Sequence, residues 1–202
     1  MSVVYLIVNL KPNNQGNKMS AQIQALQPVI HAIEQGLAQQ LDEQDLIQSF
    51  LPQFKQSLQN SAWLDAEFKQ PHPQFYQQYL LYLDPEERFS IVSFVWGPGQ
   101  KTPIHNHEVW GVIGVLEGAE VSTGFKRDDV GLHEILPKDH LAVGDIDWFS
   151  PASGDIHAVE NAFDDQVSIS IHIYGANIGK VERFTYQLDG TAKRFISGYS
   201  NI

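Results

Sequence analysis

The sequence predicts a mainly β protein, a sandwich or barrel preceded by an α-helical segment, and three observations carry that expectation. Apolar residues recur at helical spacing between about Ser20 and Leu58. After about Pro73 the texture changes to short stretches rich in β-branched and aromatic residues. Clusters of Gly, Pro and Asp separate those stretches, among them Trp96-Gly-Pro-Gly, Pro151-Ala-Ser-Gly and Leu188-Asp-Gly. No repeat of solenoid period is visible.

In the first helical stretch Ile23, Leu26, Val29, Ile30, Ile33 and Leu37 fall on one stripe, with Ser20 as candidate N-cap and Gly36 near the end. Leu46, Ile47, Phe50, Phe54 and Leu58 define a second, which Pro52 is expected to divide, because an interior proline loses a backbone hydrogen bond. The glutamines between Gln22 and Gln59 read as a solvated face. Strands are expected over Phe89–Trp96, Gly111–Leu116, Glu120–Phe125, Asp155–Asn161, Val167–Tyr174 and Arg183–Leu188. The organisation is thus an N-terminal extension (1–18), a helical segment packed on the barrel (19–72) and the barrel (73–202). Ser2–Leu10 is apolar but short and has no basic segment before it, so it reads as an extra strand or an upstream extension, with Met19 as an alternative start, rather than as a signal peptide.

Composition narrows the function. Of 202 residues, 43% are hydrophobic and 11% aromatic, enough for a real core. The net charge of −11 argues against nucleic acid, which requires a basic footprint, although one buried arginine still attracts an anion inside an acidic protein. The chain has no cysteine, which removes disulfides, thiolate ligands and a cysteine nucleophile, and suits a reducing cytoplasm, the expected location. No apolar run approaches the ~20 residues of a membrane span, so no membrane is expected.

The chemistry lies in the histidines. His105 and His107 are two apart, and on a strand residues i and i+2 share a face, so both rings can turn inward and chelate one metal. An isolated HxH is more often two ordinary surface histidines. Its context is more specific: Gly99 stands six residues before His105, Gly118 follows Gly111 by seven, and Gly154-Asp-Ile-His157-Ala-Val-Glu-Asn161 comes just after Pro151. Together these resemble the two signature motifs of the cupin superfamily, G(X)5HXH(X)3-4E(X)6G and G(X)5-7PXG(X)2H(X)3N, the second with one extra residue between Pro151 and Gly154. The resemblance implies a cupin barrel, that is, a double-stranded β-helix or jelly roll, with metal ligands His105, His107 and His157. Gly111 stands where the motif supplies a glutamate ligand, so the expected set is three neutral imidazoles. Such a set suits zinc, and copper, iron and nickel also accept imidazole.

Alternation along Ser170-Ile-His172-Ile-Tyr174 puts a hydroxyl, an imidazole and a phenol on one face, able to form a hydrogen-bonded relay or simply a stripe of satisfied core polar residues. With the three histidines, the missing glutamate and the SGDIHAVEN segment, SIHIY resembles the thiol dioxygenases, over about Phe75 to the C-terminus. The resemblance implies mononuclear nonheme iron(II), oxidation of a small thiol by O2 to a sulfinate, and an outer triad of Ser170, His172 and Tyr174. Within that family the details favour 3-mercaptopropionate dioxygenases over cysteine dioxygenases. Gly111 replaces the cysteine that mammalian cysteine dioxygenases cross-link to the triad tyrosine. Gln78, in Tyr76-Gln77-Gln78-Tyr79, stands where those enzymes place an arginine for the substrate carboxylate. The implied substrate contacts are Arg183, Gln78 and Tyr76. On chemistry alone, Gln78 also reads as a surface residue and Arg183 as a surface neighbour of Glu182. Cysteine dioxygenase, a different metal-dependent cupin enzyme and a non-catalytic metabolite-binding cupin are the alternatives.

Overall fold

The computed structural model describes residues 21–202. The 1–18 extension, the strand reading of Ser2–Leu10 and the Ser20 cap lie outside the described residues. Helix α1 spans Ala21–Ala38 and α2 spans Glu43–Ser57. Asp42 caps α2 by accepting from the Asp45 amide at 2.9 Å, and Glu43 and Asp45 in the first turn with Lys55 in the last suit the helix dipole. Pro52 does not divide this helix, contrary to expectation; it lies inside α2, as Pro28 lies inside α1. The lost bond and clash cost about 3 kcal/mol. Leu46, Ile47, Phe50 and Phe54 are buried on both sides of Pro52 and hold the helix against the barrel, and each large buried side chain contributes about 1.5–3 kcal/mol.

Twelve strands follow: β1 Gln77–Leu83, β2 Ser90–Trp96, β3 Ile104–His105, β4 Gly111–Glu117, β5 Ala119–Arg127, β6 Leu132–Glu134, β7 Asp139–Ala142, β8 Ile146–Phe149, β9 His157–Asn161, β10 Ser168–Tyr174, β11 Arg183–Tyr186 and β12 Ala192–Phe195. One sheet has the order β1-β2-β10-β4-β8; the other runs β12-β11-β3-β9-β5-β6, with β7 also paired to β5. The pairings are antiparallel. The mainly β architecture is the double-stranded β-helix expected from the sequence, two antiparallel sheets with two helices N-terminal to them.

Side-chain alternation divides the core in two. Ile169, Ile171 and Ile173 of β10 join Ile91 and Val95 of β2, Val112 and Leu116 of β4 and the apolar stripes of both helices in one cluster. The opposite faces send Val92, Phe94 and Trp96, Ile113 and Tyr174 to meet Phe149 of β8 and Val159 of β9. Gly114 of β4 lets α2 approach, since a Cβ there would overlap Leu58 and Phe54. Consequently β10 is buried along both faces.

Candidate metal centre

His105 ends β3 and pairs directly with His157, the first residue of β9. His107 lies just past β3, which is only two residues long, so the expected shared strand face is replaced by a strand and a loop. The loop is held by Asp155, whose carboxylate accepts from the amides of His107 and Glu108 at 2.9 and 3.0 Å. Asn106 fastens its other side by accepting from the Phe184 amide at 2.8 Å. Asn161, at the end of β9, bonds the carbonyls of Trp96, Gly97 and Gln166 and ties the second histidine segment to the first.

The three imidazoles are buried, each with a ring nitrogen within 4.8 Å of the others. Their outer nitrogens are engaged: Nδ1 of His105 with the Pro103 carbonyl at 3.0 Å, Nδ1 of His107 with the Asp155 carbonyl at 3.1 Å and Nδ1 of His157 with the Ser122 hydroxyl at 3.4 Å. A carbonyl only accepts, so the Nδ1 atoms of His105 and His107 carry the protons and both Nε2 atoms present lone pairs. Those Nε2 atoms face each other at 3.2 Å. Two lone pairs at that distance repel unless a cation lies between them, and cis ligands about 2.1 Å from a metal sit about 3 Å apart. Burial, before any neighbouring charge, holds the His105 pKa down at about 4 and those of His107 and His157 well below the ordinary range. The rings are neutral, the form that ligates metal. The three histidines form a buried group that can hold a metal ion.

Gly111 explains why no fourth protein ligand stands here. A Cβ there would overlap the ring of Phe149, which stacks on His107 with ring centres 4.0 Å apart. Phe149 fills the volume that any side chain at position 111 would enter.

Ser170, His172 and Tyr174 lie in a row. Ser170 Oγ is 2.8 Å from His172 Nε2, and His172 Nδ1 is 2.8 Å from the Tyr174 hydroxyl. Burial keeps His172 neutral, with a pKa of about 3, and pushes that of Tyr174 up, so the relay is uncharged at neutral pH. Tyr174 stacks on His107 at 5.7 Å between ring centres, which puts one end of the row against the metal group.

A cavity of about 220 Å³ opens beside these groups, lined by His105 and Tyr174 together with Tyr76, Gln78 and Arg183. Tyr76 stacks against Phe94 and Trp96 and forms one wall. The Gln78 amide donates to the Gly198 carbonyl at 2.7 Å, tying β1 to the C-terminal segment. Arg183 is 4% exposed, so the surface reading of this residue does not hold; Glu182 pairs instead with Arg194. Arg183 donates to the Ser197 hydroxyl at 2.7 Å and lies over the Phe195 ring, its Nε has no partner, and no carboxylate pairs with it among the described residues. Burial pulls its pKa down, the cost of keeping a cation there without an anion.

The sequence reading missed several groups that shape this site. Asp155 orients His107, Ser122 faces His157, Phe149 fills the space beside Gly111, and Glu120 is buried with Ser170 as a neighbour. Only Asp155 carried a signal, since it lies two residues before His157 within the motif.

No protein-family model matches the chain. Solved structures with a similar fold include an uncharacterized Klebsiella pneumoniae protein with a double-stranded beta-helix domain, 17% identical, covering 65% of this chain and 91% of that one at a TM-score of 0.44. A cupin superfamily protein from Desulfitobacterium hafniense is 17% identical over 53% of this chain and 83% of its own, with a TM-score of 0.41. An oxalate oxidase in complex with glycolate is 16% identical, covering 52% and 53% of the two chains at a TM-score of 0.41. These likenesses are of fold alone. Fold and site together describe a double-stranded β-helix with a buried three-histidine group that could hold a metal.

Proposed function

We propose that this protein is a thiol dioxygenase that, with iron(II) held by His105, His107 and His157, uses O2 to convert a small thiol to its sulfinate, with 3-mercaptopropionate preferred. The observation that carries the reading is the convergence of three groups on one small cavity: a ligand histidine, the phenol end of a neutral relay and a buried arginine without a carboxylate partner. When bound, iron(II) supplies the Lewis acidity that favours thiolate over thiol and the redox chemistry that O2 requires.

The residues supply the rest. Arg183 receives the substrate carboxylate through a charge-assisted contact, and ligand binding relieves an unpaired buried cation. Ser197 orients the guanidinium, and Tyr76 excludes water on the side of Phe94 and Trp96. Tyr174, fixed by His172, offers a neutral hydroxyl at the reacting end of the cavity. Cysteine would also bring an α-ammonium, and the described lining of the cavity holds Arg183 and Lys193 but no carboxylate to receive it. That asymmetry favours the mercaptoacid.

The test is metal analysis coupled to O2 consumption and sulfinate detection with 3-mercaptopropionate, cysteine and cysteamine. The expected result is iron-dependent sulfinate formation with the highest kcat/KM for 3-mercaptopropionate. Oxygen uptake without sulfinate points to a different cupin oxygenase, and the absence of metal-dependent turnover to a metabolite-binding cupin.

A further inference from the structure

Glu120 of β5 is fully buried, and neither carboxyl oxygen completes a well-aligned hydrogen bond. Its nearest donors are the Ser170 hydroxyl and the Trp96 indole N–H, both close enough to hold its pKa down in part. Trp96 Nε1 also donates to Ser170 Oγ at 3.2 Å. Glu120 therefore abuts the end of the Ser170–His172–Tyr174 row that is remote from the histidine group. We propose that Glu120 is the fourth member of this row and the proton store of the cavity, exchanging one proton with the cavity through Ser170, His172 and Tyr174.

With Glu120 joined to Ser170, its neighbouring donor, the row allows two arrangements. With Glu120 protonated, its O–H donates to Ser170, Ser170 donates to His172 Nε2, His172 Nδ1–H donates to Tyr174, and the tyrosine proton points into the cavity. With Glu120 ionised every bond reverses: Ser170 donates to the carboxylate, His172 Nε2–H donates to Ser170, Tyr174 donates to Nδ1, and the tyrosine oxygen faces the cavity as an acceptor. The atoms of one arrangement become the other by four linked hops. A proton from the cavity joins the Tyr174 oxygen, the tyrosine proton moves to Nδ1, the Nε2 proton moves to Ser170, and the serine proton moves to Glu120. Each intermediate member ends neutral, one O–H or S–H bond is broken in the cavity, and one O–H bond forms on Glu120. In a hydrogen-bonded row each bond polarises the next, which couples the four hops.

Burial, the largest influence on Glu120, raises its pKa to about 7, so both arrangements are accessible near neutrality. Across the sheet Glu120 pairs with Leu141 of β7 and Asn161 of β9, neither of which titrates; Asp139 and His157 lie further along those strands, opposite Ser122 and Gly124, and His172 and Tyr174 stand along the row on β10. None of them shifts its carboxyl, while the Glu120 charge adds to the burial that raises the Tyr174 pKa. Resting on the thiol reading only for the identity of the cavity proton, the proposal assigns Glu120 the proton that a thiol loses as it becomes a thiolate. Glu120 touches no substrate and is a positioning residue.

The experiment uses the full chain loaded with zinc(II), labelled with ¹⁵N-histidine, and reads the His172 tautomer by NMR on either side of neutrality. The expected result is Nδ1–H below neutrality and Nε2–H above it in the wild type, with one tautomer at both pH values in Glu120→Gln. An unchanging tautomer in the wild type, or an undiminished switch in Glu120→Gln, overturns the proposal. Should Glu120→Gln not fold, infrared spectra of the wild type and Ser170→Ala decide. A buried carboxylic C=O band lost on passing through neutrality in both proteins, with the tautomer switch lost only in Ser170→Ala, supports the proposal; a missing band or a surviving switch sinks it. Anaerobic binding of 3-mercaptopropionate above neutrality should then release fewer protons from wild type than from Glu120→Gln, by nearly one per site, and equal release refutes the storage role. Failure of the mercaptoacid to bind counts against the thiol reading alone, because the tautomer data decide on Glu120 by themselves.

Discussion

The two sheets of the barrel contribute to the site in different ways. In the first, β10 is central, flanked by β2 and β4, and covered outside by α1 and α2, so every residue along it is buried. It carries the relay, whose 2.8 Å contacts need rotamers fixed by packing. In the second sheet the three histidines stand at or just beyond strand ends: His105 closes a two-residue strand, His157 opens a five-residue one and His107 lies on the loop after β3. β9 alternates buried and partly exposed residues, as a sheet solvated on one face does. Hydrogen bonds accepted by the Pro103 and Asp155 carbonyls, and one shared with the Ser122 hydroxyl, hold those rings where packing does not. The Ser170–His172–Tyr174 row is thus built on the sheet buried on both faces, and the three-histidine group on the sheet whose strands end at the cavity.

The sharpest break between the sheets is at the ligands. His157→Ala leaves two imidazoles and an open site, so metal retention and activity should vanish together while the fold persists, as metal analysis and circular dichroism would show. Full metal content at native affinity would sink the ligand assignment. On the other sheet, Phe54→Ala empties a fully buried position under β4 and should cost about 3–5 kcal/mol in denaturant unfolding. The outward Glu160→Ala on β9 should stay within about 0.5 kcal/mol. Similar costs for the two would remove the contrast between covered and solvated faces.

Within the cavity, Arg183→Ala should lower kcat/KM for 3-mercaptopropionate by on the order of a hundredfold, equivalent to about 2–3 kcal/mol for a lost charge-assisted contact. Cysteamine, which has no carboxylate, should be affected far less; equal losses would make Arg183 a support of the fold rather than of substrate. A further effect concerns pH. Folding raises the Glu120 pKa from 4.5 to about 7, so the native state binds the extra proton and stability falls as pH climbs through that window. Glu120→Gln should flatten this dependence and raise stability above neutrality by about 2 kcal/mol, with little change at acidic pH. A Tm difference independent of pH would contradict the raised pKa.

Much of the first sheet was legible because its strands are buried on both faces and read as continuous β-branched and aromatic runs: SIVSFVW, GVIGVLE and SISIHIY match β2, β4 and β10. Strand β1, with its glutamines and tyrosines, and the short β6, β7, β8 and β12 carry no such run and were not anticipated. Pro52 misled because its local cost is outweighed by burial that only the docked helix reveals.

The three histidines followed from the sequence by itself, since spacing and glycine context set ligand type and approximate position. So did the alternation that aligns Ser170, His172 and Tyr174. Only the tertiary structure decided which side of each element faces the cavity. It turned Arg183 from a surface neighbour of Glu182 into a buried cation, and it showed that Phe149 occupies the space Gly111 leaves. Glu120 shows the limit most clearly. In Ala119-Glu-Val-Ser-Thr, period-two reasoning sends Glu120 and Ser122 to solvent and Val121 to the core, yet Glu120 is fully buried. The rule fails because it assumes an apolar interior, and the inside of this barrel is polar where the site is.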